Sequence, residues 1–302
     1  MIPVKDLKIN SKTTVKELID QYGKMGGFSS KKVEEGVRIL KKMFDDNNIT
    51  NFLSFPADIT STGLRGIFRD AIKNEMFDVI ITTAGTLDHD LARSYKNYYH
   101  GSFDLDDREL AKNHIYRLGN VIIPKDNYGK IIEEKMHEFF SDIEIREWPL
   151  YELVWELGKF IGKEDSLLYQ AYRKKIPVIV PGITDGAVGS QLWSFWEMNK
   201  NFKINLFMDE HLLSDIIFTA KKTGAFMIGG GISKHHTIWW NQYRGGLDYA
   251  VYLTTAVEYD GSLSGARTRE AISWGKINRK ARHITIEGDA TVILPLMFGY
   301  FL

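Results

Sequence analysis

Apolar positions follow two rhythms along this chain. At the start they recur with helical spacing, over 15–22, stopped by Gly23, and over 30–46, where Val33, Val37, Leu40 and Phe44 share one stripe. These segments predict an N-terminal helical cover within residues 1–48. From Phe52 onward the rhythm changes. Short apolar runs (FLSF, VIITTA, VIIP, PVIVP, NLFM, AFMIGGG and DYAVYLTTA) alternate with amphipathic stretches over 62–75, 88–96, 128–140, 152–161, 165–174, 190–198, 211–222 and 233–243. This alternation predicts an α/β fold: a Rossmann-like, mostly parallel sheet with helices on both faces. Residues 97–116 carry neither rhythm and read as loop. No linker, repeat or low-complexity tract interrupts the pattern, so residues 1–302 read as a single domain.

Composition removes several classes of partner. Lysine plus arginine equals aspartate plus glutamate, at 39 each, which leaves no global field to draw nucleic acid or an anionic membrane. The lack of cysteine excludes disulfides, thiolate metal sites and cysteine nucleophiles, and it fits a reducing cytoplasm. The opening MIPVKDLKINSKTT has no apolar run behind a basic end, and no apolar stretch reaches about 18 residues. The chain therefore reads as soluble and unprocessed.

Ligands of parallel sheets bind beyond the carboxyl ends of the strands, and four segments carry candidate chemistry. Gly229-Gly230-Gly231-Ile232-Ser233-Lys234-His235-His236 follows one apolar run and opens a helix. Its glycines admit close backbone approach, and the helix start offers free N–H groups to a phosphate, unless the glycines serve only the turn. Adjacent His235 and His236 point to different sides of a helix, so at most one faces a site. The segment TTAGTLDHD, 82–90, offers hydroxyls and carboxylates to a ribose or an amine, although Asp88 is equally suited to capping the following helix. PGITDGAVGS, 181–190, places Asp185 in a glycine turn. The fourth segment, 259–277, reads YDGSLSGARTREAISWGKI: a loop rich in glycine and serine, then a short helix ending in Lys276 beside Trp274. An amine nucleophile must lose its proton, which from a pKa of ~10.4 demands apolar or cationic surroundings. The plainer alternative is that Lys276 complements a helix C-terminus.

Taken together, these segments resemble deoxyhypusine synthase. The run SGAR…EAISWGKI, with KHH upstream and EGDAT downstream, is similar to that family's signature, and the likeness extends over most of the chain. The resemblance implies an NAD-dependent enzyme that moves the 4-aminobutyl group of spermidine to a lysine of the translation initiation factor 5A precursor. In that family a hydride leaves the carbon beside a secondary amine of spermidine, a lysine attacks the resulting imine and releases diaminopropane, and the acceptor lysine displaces it before the hydride returns. By position, Lys276 is implied as the nucleophile and His235 as the proton relay, with Glu270 and Trp274 beside the polyamine. For NAD the resemblance points to Ser61, Thr83, His89, Asp185, Gly230, Thr255, Ala256, Asp260, Ser262, Ser264 and Asp289. It further implies a cytoplasmic homotetramer, a dimer of dimers with sites at the dimer interface, and no nucleic-acid or membrane partner.

Three positions depart from the eukaryotic pattern. Ser190 and Leu263 stand where that pattern has acidic residues gripping the polyamine, and His89 stands where it has a glutamate. Fewer carboxylates weaken the hold on a polycation, because buried ammonium groups need partners. Asp88, Asp90 and Glu258 are the candidates to compensate. The same departures feed an alternative: an aminobutyl transferase of the homospermidine synthase type, with the same lysine and NAD but a small amine as acceptor. A dinucleotide-binding regulatory protein without catalysis is disfavoured by the joint presence of Lys276, Trp274, His235 and Glu270.

Overall fold

The cover helices form where the apolar stripe predicts them. Val15–Tyr22 begins with a capping box: the Thr14 hydroxyl accepts the Glu17 N–H at 3.2 Å, and the Glu17 carboxylate accepts the Thr14 N–H at 2.8 Å. Phe28–Asp45 buries Val33, Val37, Leu40 and Met43, while Phe44 packs edge-on against Phe77 and Phe301. The computed structural model describes all 302 residues, and they pack as two compact units. One holds Met1–Phe55, Met76–Ile81 and Leu212–Leu302; the other holds Pro56–Glu75 and Thr82–His211. No helix is long and apolar enough to cross a membrane.

The first unit contains the parallel sheet. Its strands β1 (Ile49–Ser54), β2 (Val79–Ile81), β3 (Lys222–Ile228), β4 (Leu247–Thr254) and β5 (Ile277–Glu287) lie in the order β5-β4-β3-β1-β2, each neighbouring pair parallel. Successive residues of β4 display the covers on its two faces. A side chain added at Gly36 of Phe28–Asp45 would meet Val251, whereas Tyr252 carries the Lys234 ammonium of helix Gly231–Gln242 over its ring, 3.6 Å from the centroid. The expected α/β architecture, a Rossmann-like parallel sheet with helices on both faces and a helical cover, is therefore present. β5 had no forewarning in the sequence. It is the edge strand, and of its residues only Ile277, Thr285 and Ile286 are buried, so no apolar run announces it.

The second unit is mainly helical and differs from the expectations at three places. Residues 97–116 are not a loop: they contain the strand Tyr99–His100 and the helix Asp107–Lys112, capped by the Asp106 carboxylate, which accepts the Arg108 N–H at 2.8 Å. The run VIIP forms a strand, Val121–Pro124, but it lies between Tyr99–His100 and Ile115–Leu118 in a small antiparallel sheet. NLFM is not a strand. The helix Leu206–Thr219 starts within it, and the Asn205 side chain accepts the Phe207 N–H at 3.1 Å as a cap. Three consecutive apolar residues suit a helix as well as a strand, and the capping asparagine before them decides.

Two carboxylates of the TTAGTLDHD segment also tie helices together here. Asp88 lies inside its own helix, Gly85–Tyr95, and caps a different one: it accepts the Ala187 and Val188 N–H groups at 2.9 and 2.7 Å and the Tyr128 hydroxyl at 2.8 Å. Asp90 is completely buried and accepts from Arg65 Nε at 2.6 Å, Ser166 Oγ at 2.6 Å, and the Leu167 and Leu168 N–H groups at 3.1 and 3.0 Å.

Candidate active site

A backbone turn places Lys276. The helix Thr268–Ser273 runs into Trp274, and Gly275 takes a left-handed conformation at φ +68°, where a side chain would be strained. The Gly275 N–H bonds the Ile272 carbonyl at 3.0 Å and the Lys276 N–H bonds that of Ala271 at 2.9 Å, which closes a Schellman turn. The Lys276 carbonyl then accepts the Leu247 N–H at 3.1 Å, at the start of β4. Lys276 is thus held on both sides of its Cα. It sits beyond the helix and at the amino end of β5, not beyond a carboxyl end as the general rule for such sheets suggested. Its side chain turns inward, and Nζ lies 3.2 Å from His235 Nε2.

His235 comes from the first turns of Gly231–Gln242, the helix that follows β3. Both residues line a cavity of about 350 Å³ with Glu270, Trp274, Leu263 and Trp239. The structure therefore brings together every residue predicted for catalysis and substrate except Ser190. That residue lies in the second unit, exposed on helix Ala187–Met198, its hydroxyl donating to the Gly186 carbonyl at 3.0 Å. Burial, then the neighbouring Lys276 and His236 charges, push the His235 imidazole below its ordinary value. It stays neutral, with a lone pair to accept a proton, into more acidic solution than a free histidine does. Lys234 is buried and donates to the Leu263 and Ala266 carbonyls at 2.8 and 2.7 Å. Burial pushes this amine down to about 7, with Arg267 and Lys276 adding to the shift and Glu270 opposing it.

The residues named for a dinucleotide fall in both units. In the first, Gly230, Thr255, Ala256 and Asp289 follow the carboxyl ends of β3, β4 and β5, and Asp260, Ser262 and Ser264 lie in the loop after β4. A side chain at Gly230 would come within 2.1 Å of Ser264, so this glycine admits the 262–266 loop; at Gly231, with φ +71°, nothing lies within 4 Å, and the helix start is left open. Asp260 accepts the Ser262 N–H at 2.7 Å, and Asp289 caps the last helix through the Thr291 N–H at 2.6 Å. An open helix N-terminus beside hydroxyls and exposed carboxylates suits a dinucleotide's phosphates and ribose hydroxyls. In the second unit, Ser61 is buried and donates to the Asp58 carbonyl at 2.6 Å, and Thr83 accepts the Ala57 N–H at 3.0 Å. His89 is buried, 3.0 Å from the Tyr98 hydroxyl, and burial with the Arg93 charge lowers it to about 4. Asp185 is exposed in its turn.

The candidate compensating carboxylates are already engaged. Asp88 and Asp90 hold helix starts, and Glu258 pairs with Arg269 at 2.6 Å. Among the residues lining the cavity, Glu270 supplies the one carboxylate. The sequence reading missed Lys234 and Trp239. The second had a signal, since it lies four residues beyond His235 and so on the same side of the helix. A larger cavity, about 680 Å³, occurs in the second unit between walls that include Leu192, Trp193, Trp196, Phe202 and Phe207. Size does not decide here. The smaller cavity holds the amine in contact with an imidazole, which is the arrangement nucleophilic chemistry needs.

Comparison with known proteins shows the family. A family model for deoxyhypusine synthase matches residues 17–301. The chain is 61% identical, over 99% of its length and 97% of the relative's, to a protein of Picrophilus torridus named "probable deoxyhypusine synthase". It is 58% identical over the same shares to a protein of that name from Thermoplasma acidophilum. Its fold matches the crystal structure of a "putative deoxyhypusine synthase" from Entamoeba histolytica with a TM-score of 0.67, at 18% identity, over 98% of this chain and 96% of that one.

Proposed function

Since the chain belongs to the deoxyhypusine synthase family, we propose that it transfers the 4-aminobutyl group of spermidine, by way of an imine on Lys276, to a lysine of the translation initiation factor 5A precursor, with NAD as cofactor. The observation that carries this reading is the 3.2 Å contact between Lys276 Nζ and His235 Nε2 inside a cavity that also presents Glu270 and Trp274. NAD, when bound, accepts a hydride from the donor amine and returns it to the product. The open start of Gly231–Gln242 and the side chains of Asp260, Ser262 and Asp289 are the groups of the first unit to hold it.

The protein's own residues account for the exchange. Lys276 nitrogen bonds to the imine carbon while the bond from that carbon to diaminopropane breaks. The two protons shed by the Lys276 nitrogen pass in turn by way of His235 Nε2 to the departing nitrogen, which leaves as the primary amine of diaminopropane. The acceptor lysine then repeats the exchange in reverse and frees Lys276. Glu270 faces the cavity as partner for a distal ammonium of the donor. A cytoplasmic homotetramer belongs to the same reading.

The direct test follows isotope in the butyl part of spermidine, with NAD present, into either factor 5A precursor or putrescine. Label on the precursor lysine is expected. Label in homospermidine alone would replace this reading with the small-acceptor transferase, for which Ser190 and Leu263 are the relevant departures.

His235 makes a second expectation. Because its folded value lies below the ordinary histidine value, neutral imidazole persists on acidification, and the acid limb of the transfer rate should fall below pH ~6.5. His235→Gln should slow transfer about a hundredfold and erase that limb while NAD affinity holds. A limb that survives in the variant would assign the proton to another group.

A further inference from the structure

Trp239 lies on the same side of Gly231–Gln242 as His235, and the two rings are 5.7 Å apart between centroids. Lys276 Nζ is 5.6 Å from the Trp239 ring centroid and 5.5 Å from that of Trp274, which comes from the end of a different helix. Both distances fall within the ~6 Å over which a cation is drawn to an aromatic face. The two indoles are 40% and 66% exposed, so neither serves to fill a core.

The charges around this pair make the indoles significant. Glu270 is the single carboxylate among the cavity's lining residues, against Lys234, Arg267 and Lys276. Those three are cations and give a donor ammonium no partner; the Lys234 ammonium is held by two backbone carbonyls, and Arg267 reaches toward Glu287 at 3.8 Å. A polyamine brings more than one ammonium group, and each needs a counterpart once water is excluded. Leu263, on the cavity wall, and Ser190 supply no carboxylate. An indole face is what remains to receive the second cation.

We infer that Trp239 is a specificity-determining residue that acts with Trp274 to hold a cationic nitrogen of the amine donor against two indole faces, in place of the carboxylates absent at Ser190 and Leu263. The inference rests on the amine-transfer reading above. It sets the donor class as a flexible aliphatic chain with one terminal ammonium at Glu270 and a second cationic nitrogen near Lys276.

The test is calorimetric titration of spermidine into the NAD-loaded protein and its Trp239→Phe and Trp239→Leu variants. Trp239→Leu keeps apolar bulk and removes the ring; spermidine binding should weaken about tenfold, and Trp239→Phe should fall between it and the unaltered protein. NAD affinity and melting temperature should not move, because the residue is partly exposed and outside the dinucleotide set. Unchanged spermidine binding in Trp239→Leu, or equal losses in both variants, would overturn the role of the ring face while leaving the proposed function standing. Failure of the unaltered protein to bind spermidine would instead overturn the proposed function, and this assignment with it.

Discussion

Lys276→Ala should reduce aminobutyl transfer at least about a thousandfold, because on the proposed mechanism the substitution removes the atom to which the group is bonded between donor and acceptor. The loss should come without unfolding. The turn at Gly275 and the bond from the Leu247 N–H to the Lys276 carbonyl involve backbone alone, and alanine keeps both. Lys234 is the other amine on the cavity wall, but its hydrogens are committed to the Leu263 and Ala266 carbonyls, so it should not stand in. Borohydride reduction in the presence of butyl-labelled spermidine and NAD measures this directly: label should be trapped on the unaltered protein and not on the variant. Label trapped on Lys276→Ala at the original level would move the nucleophile elsewhere, with Lys234 the first residue to replace.

The largest effect on stability is expected at Asp90. Its carboxylate satisfies a buried guanidinium, a buried hydroxyl and two backbone N–H groups at the start of helix Leu167–Lys174. Asp90→Ala leaves Arg65, itself only 7% exposed, as a buried cation with one strong partner fewer. Breaking a buried pair from one side costs about 3–5 kcal/mol, which corresponds to a melting temperature roughly 10 °C lower. Asp90→Asn should lose less, since an amide oxygen still accepts from the backbone. Thermal unfolding followed by circular dichroism checks both. A melting temperature unchanged in Asp90→Ala would mean that Ser94, already 2.8 Å from Arg65, absorbs the guanidinium alone.

The sequence was most legible where one physical signal had no competitor. Val33, Val37 and Leu40 recur on a helical stripe and are buried as such, and AFMI reads as a strand buried on both faces because it is one. Signals that serve two structures misled. The three apolar residues of NLFM fit strand and helix alike until the cap at Asn205 is seen. β5 hid behind the charged residues of an edge. At the site, Lys276 and His235 could be named from the resemblance, but the reason they meet could not. A left-handed glycine and a turn of hydrogen bonds aim Lys276, and neither leaves a mark in hydrophobic pattern. Asp88 reads as a cap for the helix that follows it, but it lies inside that helix and holds the start of another about a hundred positions away, a partner that only the folded chain identifies. Trp239 reads as one more apolar position until the charge around it is known.

The pairing of β1 with β3 has a consequence for how this protein comes into being. The register sets Ile49 opposite Lys222, so the first strand to leave the ribosome has no neighbour on that side until synthesis is well past residue 222. High contact order of this kind makes for slow folding and a long exposure of apolar strand edges. Phe52 and Leu53, fully buried at the end, are then among the residues a nascent chain must keep from aggregating, and chaperone capture during translation is expected to fall on that early segment.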